Sequence, residues 1–371
     1  MDSKPLGLTS SLMLEELMYL EEIDDEKVPP RETTKIEMTT DRSNSFFEEN
    51  ALQLSRRDLL IFPSSQFGYG LSKCSPFSSQ DFSQVLSRCM QLEQYCDAVD
   101  DFSEPALKPA LTSSSEPDLF QALFFPRSIA PRTPMKPVAS TRMTEQTLSA
   151  MWFRLVAHYF EWLAGISELQ YLAEQDKLRL AVCQLCKVVC FSVVYANYNL
   201  NKEEDSEFLF FGSGFYWDPA RCNDPLMDEY CQEMKIIINQ VVHLVRNVEM
   251  TKEEFVLVKL ILLFDCTSLM GLTDEGLEFA RSMCNKYRIT LSEYVRFRIE
   301  EIGDSQCWNQ KKIDRLSVRR MRILLGLPIE VEKIGKLDDD SLAEMVENNY
   351  GGMRGTLQQQ IHTESRKVRR R

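Results

Sequence analysis

Cys183, Cys186 and Cys190 fall at i, i+3 and i+7, which puts three sulfurs on one face of one helix. Such a row suits metal binding or thiol redox chemistry. A closed zinc site takes four ligands, however, and no histidine stands near these cysteines in the sequence. The plainer reading, and the expected one, is a stripe of small apolar residues packing inside a buried helix. The three histidines, His158, His243 and His362, are scattered. His243, within INQVVHLVRNV, either orients a ligand or satisfies itself on a partly buried helix face. The sequence has no glycine-rich phosphate loop, no His-Glu-x-x-His and no Gly-x-Ser-x-Gly element. No enzyme, metal or cofactor is expected.

Composition narrows the class. The 371 residues carry a net charge of −13, which does not suit a general nucleic-acid-binding surface. The 11 cysteines, an odd number in a chain long enough to build its own core, read as free thiols in a reducing compartment. The first residues lack the basic and apolar regions of a secretory signal. The longest apolar stretch, VLVKLILLF at 256–264, is short of the ~20 residues that span a bilayer, so no membrane segment is expected.

The elements that would position these side chains begin late in the chain. LMLEELMYLEEI reads as one short amphipathic helix within 10–23. Beyond it, up to about residue 143, the chain reads as loop or disorder. Seven prolines and a serine run over 103–140 oppose regular structure there. Phe67, Phe77, Phe82, Phe120, Phe124 and Phe125 imply that parts of the region lie against a folded domain. From Thr144 the pattern is helical, through Leu148, Trp152, Leu155, Tyr159 and Trp162. CQLCKVVCFSVVY at 183–195 and the stretch 255–264 are apolar nearly all round, so each must be buried on every side. Two such helices among amphipathic ones predict an all-α, three-layer helical sandwich. FLFFGSGFYW at 208–217 adds one small β-hairpin turning at Gly212-Ser213-Gly214. Thr251 with Glu254 and, later, Thr273 mark helix starts. A further helix is placed over roughly 311–325, and Gly351-Gly352 ends the regular pattern.

Between two apolar helical stretches sits ELQYLAEQDKLRL, 168–180. AEQDK is too short for a linker and reads as a corner. Ala173 stands at the N-cap without a capping oxygen, and Asp176, at the third helical position, reaches back to the cap N–H. That is half a capping box. HYFEWLAGISELQYLAEQDKLRLAVCQLC resembles the signature of the nuclear hormone receptor ligand-binding domain, with Glu161-Trp162, Leu172, Asp176-Lys177, Leu178 and Leu180 in register. The hairpin and the later helices MTKEEFVLVKLILLF and LTDEGLEFARSMCNKYRITLSEYV follow in that family's order. LEELMYLEE and FPSSQFGYGL are similar to sequences in its large nematode branch.

The resemblance implies a domain over 144–357, a basic tail over 358–371, a nuclear location and a role in transcription. It implies a lipophilic ligand lined by Trp152, Leu155, Tyr159, Cys190, Val194, Phe211 and His243. It further implies coregulator proteins, a receptor homo- or heterodimer partner, and a groove for coregulator helices. In that groove Ala164 stands where many members carry a clamping lysine, with Lys177 the nearest cation in the corner. Glu344, in SLAEMVENN, is the candidate for the terminal activation helix. The zinc fingers of the family are not matched. Only Cys74, Cys89 and Cys96 precede residue 144, without a Cys-x-x-Cys pair, so direct sequence-specific DNA binding is not expected. ESRKVRRR reads either as a nuclear import signal or as a solvated tail. Two other readings stand beside the receptor. One is a ligand-independent helical interaction or dimerisation module. The other is a truncated gene model of a full DNA-binding receptor, with zinc fingers encoded upstream of Met1.

Overall fold

The computed structural model describes residues 82–98, 117–200, 206–267 and 271–364. The helix expected over 10–23 and residues 365–371 of the basic tail lie outside them. The order is α1 (Phe82–Asp97), α2 (Leu119–Phe124), β1 (Thr141–Arg142), α3 (Glu145–Ala164), α4 (Glu174–Leu200), β2 (Leu209–Gly212), β3 (Phe215–Trp217), α5 (Pro225–Asn247), α6 (Lys252–Leu263), α7 (Asp274–Ser305) and α8 (Gln310–Glu347). The terminal helix, α9, comprises Thr356–Gln358 and a π-helical turn over Gln359–Glu364.

The all-α sandwich is as the sequence implies. The inner helices are α4 and α6. In α6 every residue from Glu254 to Leu263 is buried, and α4 is wrapped by α3, α5, α6 and α8. By length and composition α4 would also pass as a membrane span, but 67% of its apolar window is buried within the fold. Its hydropathy therefore serves the core. Thr251 and Glu254 form the expected reciprocal cap, the two bonds measuring 3.0 and 3.2 Å.

The structure departs from the sequence reading in five places. The hairpin is present, with Gly212, Ser213 and Gly214 all at positive φ, but it carries a third strand. β1, just before α3, pairs parallel with β3, giving the order β1-β3-β2. Two residues are too few to announce a strand by alternation.

Residues 82–97 and 119–124, expected among loops, form α1 and α2. In α1, Val85, Leu86, Leu92 and Cys96 make an inward stripe, and Glu93 meets Lys259 of α6 at 2.8 Å, both side chains buried. The helix packs so closely that a Cβ on Gly165 would lie 2.1 Å from Leu92 Cδ1.

The helix placed over 311–325 runs on to Glu347, through Pro328. A proline inside a helix removes one backbone bond and costs about 3 kcal/mol. The buried row Leu324, Leu327, Val331, Ile334, Leu342 and Val346 continues past it against α4, and that packing prevails. SLAEMVENN is consequently the end of α8, not a separate terminal helix.

The segment from 358, assigned to the tail, is built into the domain: Leu357, Gln358, Ile361 and His362 are all buried. Finally, Ala173 does precede the first residue of α4, but Asp176 does not fold back onto it. Its carboxylate reaches α7 instead, accepting from the Thr273 backbone N–H at 2.9 Å and from its hydroxyl at 2.6 Å.

Candidate functional site

The interior holds two adjacent cavities, both lined by α3, α4 and β2, that share Leu155, Val189, Val193 and Phe211. One is also lined by Trp152, Cys190, Tyr230, Met234, Asp338 and Leu342. The other adds Tyr159, His158, Met135 and Lys259. Each holds about 30 Å³, room for a water molecule or two and not for a multi-ring or long-chain lipophile.

Of the residues put forward from the sequence, Trp152, Leu155, Tyr159, Cys190 and Phe211 line these cavities. Val194 is fully buried but borders neither. His243 does not belong with them. It lies exposed on the outer side of α5, its Nδ1 3.0 Å from Arg246. The helical phase of α5 turns Val241, Val242 and Val245 inward and leaves position 243 outside.

Behind the apolar cavity wall runs a buried polar chain. The indole of Trp152 donates to His362 Nε2 at 2.8 Å, and His362 Nδ1 stands 2.9 Å from Asp339 Oδ1. An indole nitrogen only donates, so Nε2 is bare and the imidazole proton sits on Nδ1, given to Asp339. Beside it, the hydroxyl of Tyr230 donates to Asp338 at 2.8 Å. Burial pushes the Asp338 carboxyl up, and the Tyr230 and Cys190 side chains up with it. This buried chain ties α3, α5 and α8 to the terminal helix.

Cys186, Asp339 and His362 bring three ligand atoms within 4.8 Å of one another. A closed zinc site needs a fourth, and the imidazole is already hydrogen-bonded at both nitrogens. Sequence reasoning missed His362, 176 positions from Cys186 and close to it only in the fold. It also missed Tyr230 and the aspartate pair. One signal was available: Asp338 and Asp339 fall on the apolar stripe between Ile334 and Leu342.

The second feature is a surface between α3, the first turn of α4 and the terminal helix. Ala164 ends α3, half-buried. Lys177 is also half-buried, and desolvation holds its ammonium below the usual lysine value. Glu344 is elsewhere in role. It is exposed on the last turns of α8, because the helix does not break before it. The polar side chain that the terminal helix offers this surface is Gln360, whose Oε1 accepts from the Leu119 backbone N–H at 2.7 Å. The donor belongs to α2, which packs on α3, α4 and the terminal helix. Downstream of α2 the chain is clasped by Glu161 of α3. Arg127 Nε donates to it at 3.1 Å and Arg132 Nε at 3.0 Å.

Compared with known proteins, residues 134–329 match the model of the ligand-binding domain of nuclear hormone receptor. The chain is also 26% identical over 220 residues to nuclear hormone receptor family member nhr-4 of Caenorhabditis elegans, an alignment covering 58% of this chain and 42% of that protein. The chain thus spans less than half the length of this relative.

Proposed function

Because this chain belongs to the nuclear hormone receptor ligand-binding domain family, we propose that it regulates transcription in the nucleus through the position of its terminal helix. The supporting observation is the buried bond from Trp152 to His362. It joins a cavity-lining side chain to the helix that borders the docking surface. Anything that moves Trp152 or Asp338 changes the free energy of holding the terminal helix in place. A ligand acts on this equilibrium only through its different affinity for the two positions. The output is the docking of partner helices on the surface between α3, α4 and the terminal helix.

A second reading, a module that works without a small molecule, is favoured by the cavity volume. The interior is filled by the protein's own Leu155, Phe211, Val189 and Val193. In this reading a dimer partner or coregulator supplies the bias. Native mass spectrometry of the full chain purified from eukaryotic cells separates the two. A reproducible lipophilic adduct, lost in Leu155→Trp, supports the ligand-regulated reading. A clean apo mass, together with an unchanged melting temperature after incubation with lipid extract, supports the module. A purified chain that binds no partner helix, and whose terminal helix exchanges hydrogen identically in every variant of Trp152, would overturn both.

A further inference from the structure

Six residues, Leu119–Phe124, are too few to hold a helix by themselves. α2 is therefore helical because it is docked. Its apolar face is Leu119, Ala122, Leu123 and Phe124. Ala122 and Leu123 are buried in the main core cluster, and the other two pack against it. Phe120 and Phe125 point outward, 46% and 66% exposed. Both ends of α2 are held. At the start, the Asp118 carboxylate accepts from the Gln121 N–H at 2.8 Å, and Gln360 takes the Leu119 N–H. At the other end the Lys177 ammonium lies 6.0 Å from the centre of the Phe124 ring. This is how an amphipathic helix is received on a groove: apolar residues at i, i+3 and i+4 inward, a polar acceptor at the N-terminal end and a cation near the C-terminal end.

We propose that α2 is a built-in occupant of the docking surface, exchangeable for the apolar-faced helix of a partner protein. The proposal rests on the reading of that surface as the output site. α2 is covalently tethered, through the strap that Glu161 clasps. A tethered occupant competes at an effective concentration in the millimolar range. The chain is thus self-inhibited toward free helices. A partner gains access either by binding tightly enough to displace α2 or when Gln360 moves away with the terminal helix. The occupancy and the input are thereby coupled: releasing His362 releases the acceptor that holds Leu119.

The test uses the full chain and a fluorescein-labelled peptide of residues 114–128. In anisotropy titrations the double variant Leu119→Glu/Leu123→Glu, whose own α2 no longer fits, binds the peptide at least tenfold more tightly than the unaltered protein. In parallel, hydrogen exchange is followed on the unaltered protein, which removes the risk that the variant misfolds. Saturating peptide, or the single change Gln360→Ala, speeds exchange at the 119–125 amides at least tenfold and leaves the 255–263 amides unchanged. Equal peptide affinity for the two proteins, or none for a variant with an intact cooperative melt, overturns the proposal. So does exchange at 119–125 that ignores both perturbations. A variant that takes up the 114–128 peptide but no Leu-x-x-Leu-Leu peptide upholds α2 as occupant and removes the coregulator reading alone.

Discussion

The carboxylate of Asp176, on the first turn of α4, accepts both the backbone N–H and the hydroxyl of Thr273, the N-cap of α7. One buried side chain thus fixes the head of one helix against the head of another. Thr273 is left free to accept from Gly276 N–H at 3.0 Å and complete its own cap.

Asp176→Ala removes the carboxylate that accepts from the part-buried Thr273 N–H and hydroxyl and lowers stability by about 1.5–3 kcal/mol, since hydrogen bonds to charged groups are the stronger kind. Ala173→Ser, at the uncapped start of α4, raises stability by up to ~1 kcal/mol. Urea denaturation midpoints measure both. A loss for Asp176→Ala no larger than that of an exposed substitution would show that the bridge to α7 contributes nothing.

Trp152→Phe removes the donor to His362 Nε2 while keeping an aromatic ring in the core. An unsatisfied buried acceptor costs about 1–3 kcal/mol. The loss falls on the terminal helix, so amide exchange over 357–362 quickens while α6 is unaffected below the global unfolding limit. Uniform acceleration across both would mean that the bond supports the whole fold and not the terminal helix in particular.

Two glycines of α8 give opposite results. A Cβ on Gly335 meets Lys187 Cα at 2.9 Å and Lys187 N at 2.9 Å, backbone atoms that cannot rotate away. Gly335→Ala therefore destabilises by about 1–3 kcal/mol. Gly326 has nothing within 4 Å of the same position. Gly326→Ala gains helix propensity of up to ~1 kcal/mol. Thermal melts of the pair decide; a neutral Gly335→Ala would mean that α8 shifts away from α4 easily.

His158 is buried beside Asp97 at 3.6 Å, and burial together with the Arg154, Lys259 and Arg132 charges holds its pKa well below the ordinary 6.5. Below that pH the unfolded chain takes up a proton that the folded chain does not. Stability from this residue is therefore full above pH 6.5 and falls as the solution is acidified, by up to about 1.4 kcal/mol per pH unit. His158→Gln flattens the stability profile between pH 6.5 and 5. The same slope in both proteins would assign the acid sensitivity to another group.

Periodicity alone carried the all-α sandwich. A run apolar on every side, such as 255–264, has no stable place except between other layers, and that holds whatever the neighbours are. Caps such as Thr251 with Glu254 were legible for a related reason: both partners lie within one turn. What lay beyond local reasoning needed contacts distant in sequence. Asp176 looked like a local cap until the fold brought Thr273 to it. The helix placed over 311–325 looked complete there, and it is the row from Val331 to Val346, packing on α4, that carries it on to Glu347. The family resemblance places Glu344 in a terminal helix, and it lies instead on the last turns of α8. The sequence reading places His362 within the basic tail; its burial exists only because the chain returns to Trp152 and Asp339 after 210 and 23 positions. Sequence by itself determined which stretches must hide their surfaces. The tertiary structure decided which polar groups share that interior, since a buried hydrogen bond depends on the meeting of two groups whose separation along the chain carries no signal.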